Sequence, residues 1–257
     1  MEYLIIGIVA FLASLLSFFS GFGLGTLLMP AFVLFFPVDI AISLTAIVHF
    51  LNNIVKFLLT GNKVNKQVFF RFGLSAIPAA FAGAFLLVYL SGIQQDFSFD
   101  FLGHTLNIIP VNMVIGIVLI IFAWMDLSKR LKHLSIPKNR LWIGGLLSGF
   151  FGGLSGHQGA LRSAFLINFG LSKEQFVATG IAIALVVDLV RMTTYASNYI
   201  RSGITDHVAI LLVAIIAAFS GAIGGKLLLK KITIQAIRTI VAILLMVIGL
   251  GLISGII

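Results

Sequence analysis

The chain has 257 residues, of which 60% are hydrophobic and only 10% are charged, and its mean hydropathy is +1.16. Soluble domains carry roughly 25% charged residues, so this composition excludes a soluble enzyme and indicates a polytopic membrane protein. The net charge of +9 lies in short loops between apolar runs, where it orients a membrane protein and does not indicate nucleic acid. The chain has no cysteine, which excludes disulfides and cysteine metal sites, and its continuous apolar runs exclude a β-barrel.

Apolar segments follow one another along almost the whole chain. Two of them, 3–37 and 141–169, are interrupted by glycines. As one helix, the first would be about 50 Å long, which is too long for a single crossing. Each of the two either folds back as a re-entrant hairpin or crosses twice. Continuous membrane spans are predicted at 41–60, 69–91, 108–127, 175–197, 206–228 and 234–256.

The charges of the loops predict how the chain is oriented in the cell (cytoplasmic) membrane. Loops 61–68 and 128–140 and region 226–238 are rich in Lys and Arg and are expected in the cytoplasm. Loop 92–107 contains two Asp and no Lys or Arg, so it is expected to face out. The N-terminus has no basic region, so we expect no cleaved signal peptide. Counting the crossings between the basic loops places both termini outside.

The two halves of the sequence resemble each other. The segment Ala79–Phe85 matches Ala217–Ile223 at five of seven positions, and the loop charges place the two copies in opposite orientations. We therefore predict an all-α polytopic membrane protein of two inverted repeats, each a glycine-broken hairpin plus three transmembrane helices. The repeats are 1–128 and 140–257, joined by a basic cytoplasmic linker at 129–139. Inverted repeats with broken helices are typical of secondary transporters, and the alternative is an old duplication in a non-transport membrane protein.

The glycine breaks are candidate anion sites. Glycine at this density disfavours a continuous helix, and such backbone is tolerated in lipid only where it is buried in protein or lines a wet cavity. The helix that restarts after each break presents free N–H groups and a positive dipole end, which favour an anion. The alternative is that the glycines only allow close helix packing. The candidate substrate-binding residues in the breaks are Gly21, Phe22, Gly23, Leu24, Gly25, Thr26, Gly156, His157, Gln158 and Gly159.

Polar residues also recur at matching places in two of the spans. A charge at the bilayer centre costs at least ~2.5–3.5 kcal/mol, so it is treated as a functional candidate. When the spans 41–60 and 175–197 are aligned, Asn53 matches Asp188 and Lys56 matches Arg191. Two alternatives are that Lys56 snorkels to the interface and that Asp188 and Arg191 form a structural ion pair. The candidates are His49, Asn52, Asn53 and Lys56 on one helical face, Asp188 and Arg191, and Arg162 after the second break.

Three stretches resemble a known family. Residues 21–30 resemble the Gly-Ile-Gly-Gly-Gly-x-Leu-Leu-Val-Pro motif of the TauE/SafE sulfite exporter family. Residues 155–165 are similar to a Gly-His/Asn-Gln-Gly-x-x-Arg-Ser variant in part of that family, and residues 177–180 resemble its Ala-x-x-Thr-Ser stretch. The resemblance covers nearly the whole chain in order. It implies a transporter of small sulfur-containing anions such as sulfite, thiosulfate, sulfoacetate or another organosulfonate.

The direction and the coupling of transport stay open. The inside-negative potential expels anions, so export needs no coupling, whereas uptake needs a proton or cation with His157, His49 or Asp188 as carrier. An anion channel is one alternative. A rhomboid-like intramembrane protease is another, because Gly153–Gly156 reads Gly-Leu-Ser-Gly, but it needs a histidine such as His207 to activate the serine. We expect lipid and a small anion as partners, and neither cofactor, metal nor nucleic acid.

Overall fold

The fold is a bundle of helices with one short hairpin of strands. The computed structural model describes residues 1–20, 23–93, 97–101, 104–128, 140–201, 204–227 and 234–256. In the first half, the helices are α1 Glu2–Ser20, α2 Gly25–Val33, α3 Val38–Thr60, α4 Lys66–Ser91 and α5 Pro110–Leu127. In the second half, they are α6 Leu141–Ser155, α7 Gly159–Leu166, α8 Lys173–Arg201, α9 Val208–Leu227 and α10 Ile234–Ser254.

The helices have the length and apolarity of membrane spans. Within the described residues, α3, α4, α5, α8 and α9 are each long and apolar enough to cross a membrane. Large apolar side chains point outward along them, as at Phe85, which is 69% exposed, and Ile216, which is 64% exposed. Such surfaces suit lipid and not water. The prediction of an all-α polytopic membrane protein is confirmed.

The two glycine-broken segments fold back on themselves. The short helices α2 and α7 have nine and eight residues and are each about 12–14 Å long, whereas the hydrocarbon core is about 30 Å thick. In the second segment, Gly144 lies against Phe165 and Gly152 lies against Gln158, so α6 and α7 run antiparallel. Gly156 makes the reversal with a φ of 80°, a backbone conformation that favours glycine. Each segment is therefore one helix with a short return helix, and not two full spans.

Corresponding helices of the two halves make corresponding contacts. Helix α4 packs on α6, and α9 packs on α1. A Cβ added to Gly83 of α4 would lie 2.0 Å from Phe150 O, and one added to Gly221 of α9 would lie 2.2 Å from Phe11 O. Helices α5 and α10 pack on each other, and Gly116 of α5 lies against Gly249 of α10. In each half, the helix equivalent to α4 therefore packs through small residues on the first helix of the other half.

Helices α3 and α8 cross the centre of the bundle in antiparallel directions. The Asn65 N–H, just after the end of α3, donates to Thr179 Oγ1 near the start of α8 at 2.9 Å. Deeper in the bundle, His49 Nδ1 and Asp188 Oδ2 are 2.6 Å apart. The end of α3 therefore lies beside the start of α8. We call this end of the pair the cavity side and the opposite end the far side.

The region predicted as an outer loop at 92–107 contains a β-hairpin. Strand β1, Phe97–Phe101, pairs antiparallel with β2, His104–Ile108, and Phe97 faces Ile108 in the register. The strand sequence Phe-Ser-Phe-Asp-Phe alternates apolar and polar residues with the period of a strand, and this pattern could have predicted it. Helix α5 then begins at Pro110, which has no N–H to leave unpaired in a first helical turn.

Candidate functional site

A cavity on the cavity side is walled by α3, α7, α8 and the first glycine break. Counted together with the open space at its mouth, it contains about 470 Å³ of empty space. Leu24, Leu166, Phe176 and Ile181 form part of its apolar wall. Its polar groups include those of Ser17, Gly23, His49, Asn53, Lys56 and Arg162. Five of these six residues, all except Ser17, were predicted as substrate-binding.

Asp188 lies at the inner end of this region and holds several elements together. Its side chain has no exposed surface. Its Oδ2 accepts from His49 Nδ1 at 2.6 Å and from Asn53 Nδ2 at 3.1 Å. Its Oδ1 accepts from Arg191 Nε at 3.0 Å and from Gln158 Nε2 at 3.4 Å. Helices α3 and α8 and the second break are thus joined at one carboxylate.

Two further basic side chains, those of Lys56 and Arg162, face the cavity. Lys56 is 3% exposed, and its Nζ donates to Ser17 Oγ at 2.6 Å. Arg162 is 7% exposed, and its NH1 donates to Gln158 Oε1 at 3.1 Å. Gly180 makes room for this guanidinium, because a Cβ there would lie 3.3 Å from Arg162 Nε. The cavity therefore presents two buried basic side chains.

Asn52 points away from the cavity, in contrast to the three other candidates on α3. Its amide is satisfied when the nitrogen donates to Ser14 Oγ and Ala218 O and the oxygen accepts from Lys56 Nζ at 3.0 Å. Asn52 is not among the residues that line the cavity, whereas His49, Asn53 and Lys56 are. Asn52 therefore positions Lys56 and does not line the cavity.

The predicted residues of the two breaks take different places. Gly23 and Leu24 line the cavity, at the start of α2. Gly25 is where the two breaks approach, because a Cβ there would lie 3.4 Å from Gly156 O. Thr26 and Gly159 are buried in the first turns of α2 and α7. Gly21 and Phe22 lie outside the described residues.

His157, Arg191 and Ser155 are also buried near the breaks, but none of them is among the residues that line the cavity. His157 Nδ1 lies 3.1 Å from Ser155 O, a carbonyl that can only accept, so this nitrogen carries the proton. Ser155 Oγ donates to Phe151 O at 3.1 Å. His207, which the protease alternative needs, packs its ring on Phe36 and not on Ser155.

The sequence did not single out Ser17 or Gly180. Ser17 matches Ser155 in the same alignment of the halves that pairs Ala79 with Ala217, so the internal repeat could have found it. Gly180 lies in the stretch 177–180 that carries the family resemblance, but its use is steric, because it leaves room for Arg162. Small residues of this kind carry no chemical signal of their own.

Two comparisons with known proteins bear on this site. A family model described as sulfite exporter TauE/SafE matches residues 6–252, which is nearly the whole chain. A search of curated proteins found no match to this chain.

Proposed function

Because the chain belongs to the sulfite exporter TauE/SafE family, we propose that it carries a small sulfur-containing anion across the cytoplasmic membrane through the cavity between its two broken helices. Members of the family are membrane transporters of sulfite and related anions, so the chain is a multi-pass membrane transporter and not an enzyme. The candidate substrates are sulfite, thiosulfate, sulfoacetate and other organosulfonates.

The proposal rests on the buried basic side chains at the cavity and behind it. Lys56 and Arg162 face the cavity, and Arg191 is buried behind it. The one carboxylate of this described cluster is Asp188, and it already accepts from Arg191 and His49. Buried charges need a partner of opposite sign, and Arg162 at the cavity donates to a neutral amide oxygen, that of Gln158. A small oxyanion beside Arg162 in the cavity would supply a negative charge there.

We also propose that the two halves, 1–128 and 140–257, are inverted repeats joined by a cytoplasmic linker at 129–139. The antiparallel course of α3 and α8, which are equivalent helices, supports this. The exchanged contacts of α4 with α6 and of α9 with α1 support it as well. In an inverted pair, one half closes the pathway where the other half opens it. We therefore favour a carrier over a channel, with Lys63 and Lys66 at the cytoplasmic end.

Anion binding to the purified protein tests the site. Thermal unfolding would be followed at matched ionic strength with sulfite, thiosulfate, sulfate, sulfoacetate, taurine, chloride and phosphate. A ligand at a hundred times its Kd stabilises the folded state by about 2.7 kcal/mol. We expect one sulfur oxyanion or sulfonate to stabilise the protein selectively. No shift with any of these sulfur anions would contradict the proposed site.

Arg162→Gln and Lys63→Gln form a matched pair for this assay. Both substitutions remove one positive charge on the cavity side, but Lys63 is exposed and Arg162 lines the cavity. We expect Arg162→Gln to weaken binding at least tenfold and Lys63→Gln to leave it unchanged. Wild-type affinity in Arg162→Gln would remove this residue from the site. Counterflow in liposomes then distinguishes a carrier from a channel, because only a carrier accumulates labelled sulfite transiently against its gradient while unlabelled sulfite moves the other way.

A further inference from the structure

Three polar atoms on the far side of the bundle are buried without a partner. Among the described residues, Thr45 Oγ1, His157 Nε2 and Arg191 NH1 have no hydrogen-bond partner. Their residues are 0%, 1% and 0% exposed. Buried polar groups in folded proteins are nearly always paired, so three orphans in one place need an explanation.

The residues that carry these atoms lie near the point where the two broken helices meet. A Cβ added to Gly25 would lie 3.5 Å from Thr45 Cγ2 and 3.4 Å from Gly156 O. A Cβ added to Gly156 would lie 2.6 Å from Arg191 NH1, and His157 is the next residue along the chain. Helices α3 and α8 and the second break therefore bring the three groups to one junction.

The repeat relates this junction to the cavity. In the alignment of α3 with α8 that pairs Asn53 with Asp188, Thr45 pairs with Gly180 and Lys56 pairs with Arg191. Gly180 and Lys56 line the cavity. Thr45 and Arg191 on the far side are therefore equivalent by the repeat to Gly180 and Lys56, which line the cavity.

The far side is closed in this conformation. Phe32 and Ile42 have no exposed surface there. The Phe32 ring contacts Phe36, and the Phe36 ring contacts His207, just after the end of α8. Apolar side chains thus separate the polar groups at the junction from the far surface, whereas the equivalent residues Gly180 and Lys56 line the cavity.

We propose that Thr45, His157 and Arg191 form a second contact site for the same sulfur oxyanion, which opens to the far side when the cavity closes. This inference rests on the proposed function. Arg191 NH1 and Thr45 Oγ1 would donate to the oxyanion. His157 Nδ1 carries its proton toward Ser155 O, so Nε2 is an acceptor and suits the O–H of a protonated oxyanion such as hydrogen sulfite.

Thiol labelling tests whether the junction opens. The chain has no cysteine, so each single cysteine substitution creates one reactive site. A membrane-impermeant thiol reagent would be applied to each face of sealed vesicles. We expect Thr45→Cys to react from the far side only, and Ile181→Cys, in the cavity wall, to react from the cavity side only. Ala242→Cys, in the core of α10 with no exposed surface, is expected to react from neither face.

The outcomes separate this inference from the proposed function. If sulfite slows the labelling of Ile181→Cys while Thr45→Cys reacts from neither face, the proposal of a second contact site is wrong and the cavity site stands. Reaction of Thr45→Cys from the cavity side would also overturn the second site. If sulfite does not slow the labelling of Ile181→Cys, this result would instead contradict the proposed function.

Thr45→Val provides an independent test that does not need a reactive thiol. Valine keeps the shape of threonine but removes the unpaired hydroxyl. We expect the melting temperature to stay the same or rise, sulfite binding to stay within twofold, and sulfite counterflow to fall at least tenfold. Thr45→Ser, which keeps the hydroxyl, should retain transport. Wild-type counterflow in Thr45→Val would overturn the proposal, and so would a lower melting temperature, because it would reveal a structural partner for the hydroxyl.

Discussion

Neutralising Asp188 should destabilise the protein strongly, because this carboxylate joins α3, α8 and the second break. In Asp188→Asn the side chain keeps its shape, but Arg191 becomes a buried cation without a counter-charge. An amide nitrogen also replaces one of the two oxygens that accept from His49, Asn53, Gln158 and Arg191. Removing one partner of a buried ion pair costs about 3–5 kcal/mol, and we expect a loss in this range.

A double-mutant cycle identifies the ion pair as the cause. Arg191→Gln, combined with Asp188→Asn, removes the uncompensated charge, so the double variant should lose less stability than the two single variants together. We expect a coupling energy between about 0.5 and 3 kcal/mol, measured by denaturant unfolding in detergent. Asp206→Asn is the control, since Asp206 is exposed at the far end of the bundle. Additive losses, or an Asp188→Asn variant as stable as the wild type, would refute the reasoning.

Two further predictions concern packing and capping. Gly83→Ala should lower the free energy of unfolding by about 1–3 kcal/mol, because its Cβ would lie 2.0 Å from the backbone oxygen of Phe150. Gly73→Ala in the same helix is its control: no described atom lies within 4 Å of its Cβ, so stability should be unchanged or slightly higher in the same unfolding assay. Asn65 caps α4 by accepting from the Val68 N–H at 3.0 Å, so Asn65→Ala should cost about 1 kcal/mol while Asn65→Asp keeps the cap. Equal melting temperatures for the Ala and Asp variants would contradict the capping role.

Much of the fold follows from hydropathy, because a span needs a continuous apolar run and the runs are plain in the sequence. The reversal within each broken segment does not follow from hydropathy. It depends on tertiary contacts, such as that of Gly144 with Phe165, which let the return helix pack on its partner. The hairpin of β1 and β2 was not predicted, because the charges of loop 92–107 were used only to assign the loop to one side of the membrane. The alternation of Phe with polar residues in this loop could have predicted the strands.

The site was predicted where chemistry and periodicity agreed. His49, Asn53 and Lys56 are polar residues on one face of an apolar helix, and the structure places all three on the cavity wall. Asn52 has the same chemistry and lies on the same helical face, and only its packed neighbours Ser14 and Ala218 show that its amide does not line the cavity. Spacing therefore limits which residues are candidates, while the neighbouring helices decide which of these candidates face the cavity.

Thr45 is identified as a candidate contact residue only when its burial and its place in the repeat are considered together. In the sequence it lies in the apolar run Leu44–Ala46 and resembles any threonine of a membrane helix. Burial alone would assign its hydroxyl to a carbonyl one turn back, the usual partner of a helical threonine. Within the described structure no such bond is made, and the repeat pairs Thr45 with the cavity-lining Gly180. A buried hydroxyl without a partner costs free energy, and the proposed second contact site would give this hydroxyl a partner.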